Sequence, residues 1–456
     1  MTFNINTSNV QTAGILIALT AFSLRLVRSG DHLPWYTRLL GIFHPIYPIQ
    51  GEVEEGFEAV IEKFRENFAL GSEVGASIAV FSHGKKVVEL YGGFKDFEKK
   101  IPYTRDTLQL VYSTSKVMES VAIARLVDQG YLKYEDKISS IWPEFGTKNK
   151  NDVTVEDMLR HEGGVAYFSD PQPTFEDLLD EEKLGRLLAE QPHLWEGKKV
   201  RCYHALSRGW CLNEISRRVH PLKRTLGEIY INEINPLLNT EFYLGLSETN
   251  MDRRSTWYNV KMVDILSGLI LPDFILGSKA CSELKIGMLK KGSPYYNINK
   301  PRSAIKDYEN SEEIHKAEMP SSNGFTNALS LAKVTSCFAN KGVCEEAVLI
   351  SEEGINNAIA DCIEEYDTCI FTKTCFSRGG FGLFTFPECG EDVKFYGWPG
   401  KGGSFTVFSP EYNFSFAYVM NGAGLSFLTG GRAKDLLVVA FQAHIKLNRN
   451  MRESST

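Results

Sequence analysis

Apolar residues recur at helical spacing in EGFEAVIEKFRENFALG (55–71), at Phe57, Val60, Ile61, Phe64 and Phe68, which predicts an amphipathic helix. The next stretch, ASIAVFSHGKKVVELYGG (76–93), reads as two strands joined by a His83-Gly84 turn. The strand-like run LQLVY (108–112) gives way to an apolar helical pattern that ends at Gly130, a residue suited to the left-handed position after a helix. From about 117 to 340 the pattern is helix-rich with few clear strands. Strand-like runs return in VKFYGWPG (393–400), GSFTVFSP (403–410) and FSFAYVMNG (414–422), and AKDLLVVAFQAHIKL (433–447) predicts a closing helix. Strands at both ends with helices between them predict an α+β fold. One sheet is assembled from both termini and flanked by helices, with an inserted, mostly helical subdomain.

The N-terminus breaks this pattern. No charge occurs between Met1 and Leu24, and Ala13–Leu24 is apolar apart from two hydroxyls. Residues 10–27 are long enough for a short membrane helix, near the lower limit of about 17 residues. Arg25 and Arg28 follow the apolar run, which favours a body on the cytoplasmic side. A cleaved signal, giving a secreted protein, and an ordinary N-terminal helix of a soluble intracellular one are the alternatives. The expected organisation is an apolar segment at 1–28, a connector rich in proline and aromatics at 29–50, a globular domain at 51–445 and a polar tail at 446–456.

Composition adds exclusions. The 456 residues are 43% apolar and 23% charged, and a net charge of −7 gives no reason to expect nucleic acid. None of the nine cysteines forms a C-x-x-C pair, so zinc and thioredoxin chemistry have no support and core thiols are expected. The GKGGS glycines at 400–404 lack the G-x-x-x-x-G-K-[ST] of a phosphate loop and precede a strand. No metal or cofactor is expected, and the oligomeric state is not legible.

Ser-x-x-Lys occurs five times, at Ser82, Ser113, Ser282, Ser303 and Ser330, so the pattern alone carries no weight. Ser113 differs in context, because it follows LQLVY and opens an apolar helix. A helix start offers unpaired N–H groups for an oxyanion. Lys116 lies one turn on, on the same face, and VMESVAIARLV around it predicts burial, which disfavours an ammonium. The plain alternative is an N-cap serine beside a solvated lysine. A histidine base is a weaker candidate: neither His161 nor His204 belongs to a G-x-S-x-G arrangement.

Further stretches join STSK in order: VTVEDMLRHEGGV (153–165), VRCYHALSRGWCLNEISRR (200–218), SSNGFTNALSLAKVTSCFANKG (321–342), RGGFGLF (378–384) and YGWPGKGGSFTVFSPE (396–411). With them, about residues 51–445 resemble the serine β-lactamase and penicillin-binding-protein superfamily. The likeness is to its class C-like branch of esterase-type members and animal β-lactamase domain-containing proteins. The resemblance implies a β-lactamase-like fold with an antiparallel sheet. It implies Ser113 as acylated nucleophile, Lys116 as proton acceptor or relay and Tyr203 as the tyrosine of the Y-x-N motif. Trp398-Pro399-Gly400 would be the third motif, with Trp398 and Gly400 in the substrate pocket. The N–H groups of Ser113 and Lys401 would form the oxyanion hole.

Two positions depart from the family pattern. The motif asparagine is Ala205, and the cationic or imidazole group of the third motif is Trp398, where a broad apolar wall is expected. Losing both polar groups predicts weak or absent β-lactam hydrolysis and an ester or amide substrate with an apolar part. The rival readings are a catalytically silent scaffold or filament-forming protein that keeps the fold, and a peptidase for small peptides or D-amino acids.

Overall fold

The computed structural model describes residues 47–69, 73–169, 172–259, 292–303, 308–424 and 431–454. The apolar segment 1–28 and most of the connector 29–50 lie outside the described residues. Apolar runs from the two ends of the chain meet in one antiparallel sheet. Its strands are β1 (Ile49–Val53), β2 (Gly75–Ser82), β3 (Lys85–Asp96), β4 (Ile363–Asp367), β5 (Thr372–Phe376), β6 (Gly382–Phe384), β7 (Phe395–Pro399), β8 (Phe405–Ser409) and β9 (Phe414–Met420). They run in the order β1-β3-β2-β9-β8-β7-β6-β5-β4, with Ile101–Pro102 paired to β3. The N-terminal and C-terminal strands join where β2 pairs with β9, Val80 opposite Phe416.

Every residue of β9 is buried, which explains why FSFAYVM is apolar without alternation. Both faces of the sheet are covered. Ala79, Phe81, Ala417 and Val419 pack with α2 (Ser115–Asp128) and α4 (Ala328–Ala339). Ile78, Val80, Phe416 and Tyr418 face the other way, onto α1 (Glu58–Ala69) and α5 (Arg432–Ser454). The inserted helices, α3 (Ser207–Val219) among them, extend the first of these cores.

The local predictions resolve into particular geometries. His83 and Gly84 both take positive φ, 51° and 74°, as a tight two-residue hairpin requires. Gly130 has φ 78° and its N–H donates to Val127 O at 2.9 Å, while Tyr131 N–H reaches Leu126 O at 3.0 Å, so α2 ends in a Schellman motif. Three expectations change. LQLVY contributes only Gln109–Leu110 as a strand, in a separate small sheet with Gly324–Thr326 and Phe242–Leu244. The closing helix runs on to Ser454, so most of the expected polar tail is its last turns. The edge strands β1 (IQGEV) and β4 (IEEYD) are mostly exposed and carry charges, so they lack the apolar signature of a strand. The eight described cysteines are free thiols, five of them buried. Among the described residues no helix is long and apolar enough to cross a membrane.

Candidate active site

The turn that carries Ser113 is set before the helix starts. Val111 N–H donates to Gly324 O at 2.9 Å. Tyr112 then takes φ 47°, a backbone state that costs a bulky residue about 1–3 kcal/mol. Its ring is held edge-on to Trp257, centroids 4.7 Å apart. Tyr112–Thr114 form one 3-10 turn, and α2 follows without a break. Neither flanking residue, Val111 or Thr114, makes a side-chain cap bond, so the N-cap role falls to no serine here. Ser113 lies inside the turn and is partly exposed, whereas Tyr112, Thr114, Ser115 and Lys116 are buried.

Lys116 is 1% exposed. Its Nζ donates to Ala205 O at 2.8 Å and to Ser321 O at 3.0 Å, and lies 4.7 Å from the centre of the Tyr203 ring. The position of the motif asparagine therefore contributes a backbone carbonyl, which alanine supplies as well as any residue.

Tyr203 is placed by its backbone. Its N–H donates to the buried Asp367 Oδ1 at 3.1 Å, and Cys202 N–H to His161 O at 3.0 Å. Arg201 ties the same segment to Thr374 O at 2.7 Å and Ile363 O at 2.9 Å. His161 sits in a left-handed backbone, φ 66°, after a helix opened by a Thr154–Asp157 capping box. Its Nδ1 accepts the His204 N–H at 3.0 Å. His204 in turn accepts Val165 N–H at 3.2 Å through Nε2, and burial pulls its pKa down to about 3. Burial also holds His161 well below the usual histidine range. Both rings are neutral struts, so the histidine-base alternative has no geometric support.

The phenol of Tyr203 accepts the indole N–H of Trp398 at 3.1 Å and has the Ser113 hydroxyl beside it. Burial pushes its pKa up; these two contacts and the charge of Arg208 oppose that push. Trp398 is 5% exposed and packs on Phe376, centroids 4.7 Å apart. Its ring is thus largely inside the protein, and what it offers the site is a hydrogen-bond donor more than the open apolar wall expected from sequence.

Gly400 also has a different reason from the one expected. Its φ of −108° is ordinary, but a Cβ there would sit 2.2 Å from Val111 O and 2.9 Å from Thr114 Oγ1. Glycine lets the end of β7 press against the Ser113 turn. The Lys401 side chain pairs with Glu309 at 2.5 Å, and its Nζ lies 5.2 Å from the centre of the Tyr112 ring. The structure thus gathers Ser113, Lys116, Tyr203, Trp398 and Gly400 in one place. Asp367, which holds the Tyr203 N–H, lies 164 positions away and had no local signature, and His161 was noticed only as a weak base candidate.

Comparison with known proteins agrees with this arrangement. The Beta-lactamase family model matches residues 57–440. The esterase/beta-lactamase LipL of Mycobacterium tuberculosis (strain ATCC 25618 / H37Rv) is 26% identical over 374 residues, 81% of this chain and 82% of that protein. A solved family VIII carboxylesterase is similar with a TM-score of 0.75 and 28% identity, over 87% of this chain and all of that one. A penicillin-binding protein homologue from Caulobacter crescentus gives 0.71 and 28%, again over 87% of this chain. With its two-faced sheet, its Ser-x-x-Lys turn and a family match over most of its length, the chain belongs to the Beta-lactamase family.

Proposed function

We propose that the protein is a serine hydrolase that cleaves an ester or amide bond of a small molecule through an acyl-enzyme. The observation that carries this reading is the meeting of three groups: a partly exposed Ser113 hydroxyl beside the Tyr203 phenol, with the Lys116 amine 4.7 Å from the centre of that ring. Ser113 Oγ attacks the acyl carbon, and its proton passes to the Tyr203–Lys116 pair. The phenol and the amine lie close enough to share that proton, so the base is the pair. The negative oxygen of the tetrahedral intermediate is held by the N–H groups of Ser113 and Lys401. Collapse expels the alcohol or amine, which takes the proton from the pair. Water then repeats the sequence on the ester at Ser113 and releases the acid.

Trp398 keeps the phenol oxygen supplied with a donor as it gains charge. The family's cationic or imidazole group helps hold a β-lactam's carboxylate, as the resemblance implies; an indole adds no fixed charge for one. Together with Ala205, this supports esters or amides over β-lactams. A fluorophosphonate probe tests the reading: labelling that disappears in Ser113→Ala supports it, and an unlabelled native chain supports the silent-scaffold alternative. A panel of p-nitrophenyl esters and peptide anilides separates esterase from peptidase. Membrane attachment through residues 10–27 rests on the apolar pattern of that segment, and carbonate extraction of the full chain against one starting at Gly51 tests it.

A further inference from the structure

We propose that Glu119 and Arg208 are positioning residues: a buried ion pair that holds the Lys116 amine in place and balances the charge around it. The inference rests on the reading of Lys116 as half of the proton-handling pair.

Lys116, Glu119 and Ser120 lie on one face of α2, three and four residues apart. Arg208, in the first turn of α3, meets that face. Its Nε lies 3.1 Å from Glu119 Oε2, and both side chains are fully buried. Its Nη2 donates to Ser120 Oγ at 2.6 Å and to the Lys116 carbonyl at 3.2 Å. Glu119 Oε1 accepts the Ser321 hydroxyl at 2.5 Å, and Ser321 Oγ accepts Gly209 N–H at 2.9 Å. Ser321 closes the loop, because its carbonyl is one of the two acceptors of Lys116 Nζ. The backbone of Lys116 and one acceptor of its amine are thus held by the same ion pair. There is no slack: a Cβ on Gly209 would lie 2.5 Å from Glu119 Oε1.

An apolar contact would staple α2 to α3 at lower desolvation cost. What it could not do is set the field at the amine. Glu119 and Arg208 together add no net charge. Removing the carboxylate alone leaves a guanidinium that cannot lose its proton. The other groups facing this spot are Tyr203, His161 and His204 ahead of α3, and Tyr230, whose hydroxyl donates to Met118 O at 2.9 Å. Burial keeps both histidines neutral and the Tyr230 phenol protonated. The pairs of Arg125 with Glu233 and of Asp128 with Ser351 lie at the far end of α2.

The test is kcat/KM against pH for a p-nitrophenyl ester, using the full chain. The neutral amine is the working form, so activity rises with pH on the acid limb. In Glu119→Gln the unbalanced Arg208 disfavours the ammonium, and the limb moves to lower pH by about one unit. The double variant Glu119→Gln/Arg208→Gln returns it to the native position. Arg208→Lys keeps the charge and the limb but loses the planar fork, so kcat falls about tenfold. Ser321→Ala keeps both charges and likewise lowers kcat without moving the limb. A limb that stays within about 0.2 units in Glu119→Gln while the melting temperature drops overturns the inference and leaves a structural staple. If the double variant fails to fold, the Glu119→Gln limb decides alone. A native chain that labels at Ser113 and cleaves ester keeps the functional reading whatever these variants do; one that does neither overturns both.

Discussion

Two ion pairs, one fully buried and one nearly so, underlie the two halves of the proposed site, on opposite faces of the sheet. Glu119–Arg208 lies under the amine half and touches side chains that surround Lys116. Glu73–Arg432, 2.7 Å apart, lies under the oxyanion half. There Arg432 Nη2 donates to Gly422 O at 2.8 Å and reaches Gly402 O at 3.4 Å, while Tyr418 donates to Glu73 at 2.5 Å. The first pair faces a group that must change its proton. The second faces backbone carbonyls, which have no proton to change. The same interaction therefore serves electrostatics in one half and backbone geometry in the other, and substitutions should separate the two by pH profile.

The largest effect is expected from Arg432→Met, which leaves Glu73 without its counter-charge. Breaking such a pair costs about 3–5 kcal/mol, read by chemical denaturation. Its pH dependence has a definite sign. Burial holds the Glu73 carboxyl above its usual range, so the stability it contributes is complete below about pH 4.5 and is lost as pH rises through the folded value. Losing Arg432 raises that folded value further. The variant is therefore penalised more at pH 8 than at pH 5, and equal penalties would remove Glu73 from the account.

Gly400→Ala comes next. Its Cβ would drive β7 from the Ser113 turn and cost about 10²–10³ in kcat, the scale of one lost oxyanion donor. The acid limb should stay where it is; movement would mean that the two halves are not separable. Trp398→Phe keeps the ring and removes the donor to Tyr203. One hydrogen bond predicts a loss of about tenfold in kcat. Burial keeps the phenol protonated along the acid limb, which follows the amine, so the limb should stay where it is. The smallest effect belongs to Lys401→Ala. Its ammonium is 44% exposed and pairs with Glu309, worth about 0–1 kcal/mol, while the N–H that matters is backbone. A kcat within about threefold of native is expected, and a large loss would assign the side chain a role the geometry does not give it.

Legibility followed burial. The central strands β2, β7, β8 and β9 are covered on both sides, so their apolar runs announced them. β1 and β4 at the edges bury little and read as polar segments. Within the site, STSK and YHA were visible as short motifs. Glu119 was visible too, as one of two charges inside the apolar run VMESVAIARLV, but its partner is 89 positions away. Trp398 was read as a wall because its sequence neighbours do not say which way the indole N–H points.

By itself, the sequence determined the helix and strand periods, the hairpin and helix-end glycines, and the residue types that can attack, take a proton and leave room. These are local properties, set by φ/ψ preference and side-chain chemistry within a few residues. Only the tertiary structure decided that the Ser113–Lys116 pair stands beside a phenol, why Gly400 must be glycine, and which carboxylate answers Arg208. Those outcomes depend on contacts between segments far apart in the chain, where desolvation and close packing act and no local pattern records them.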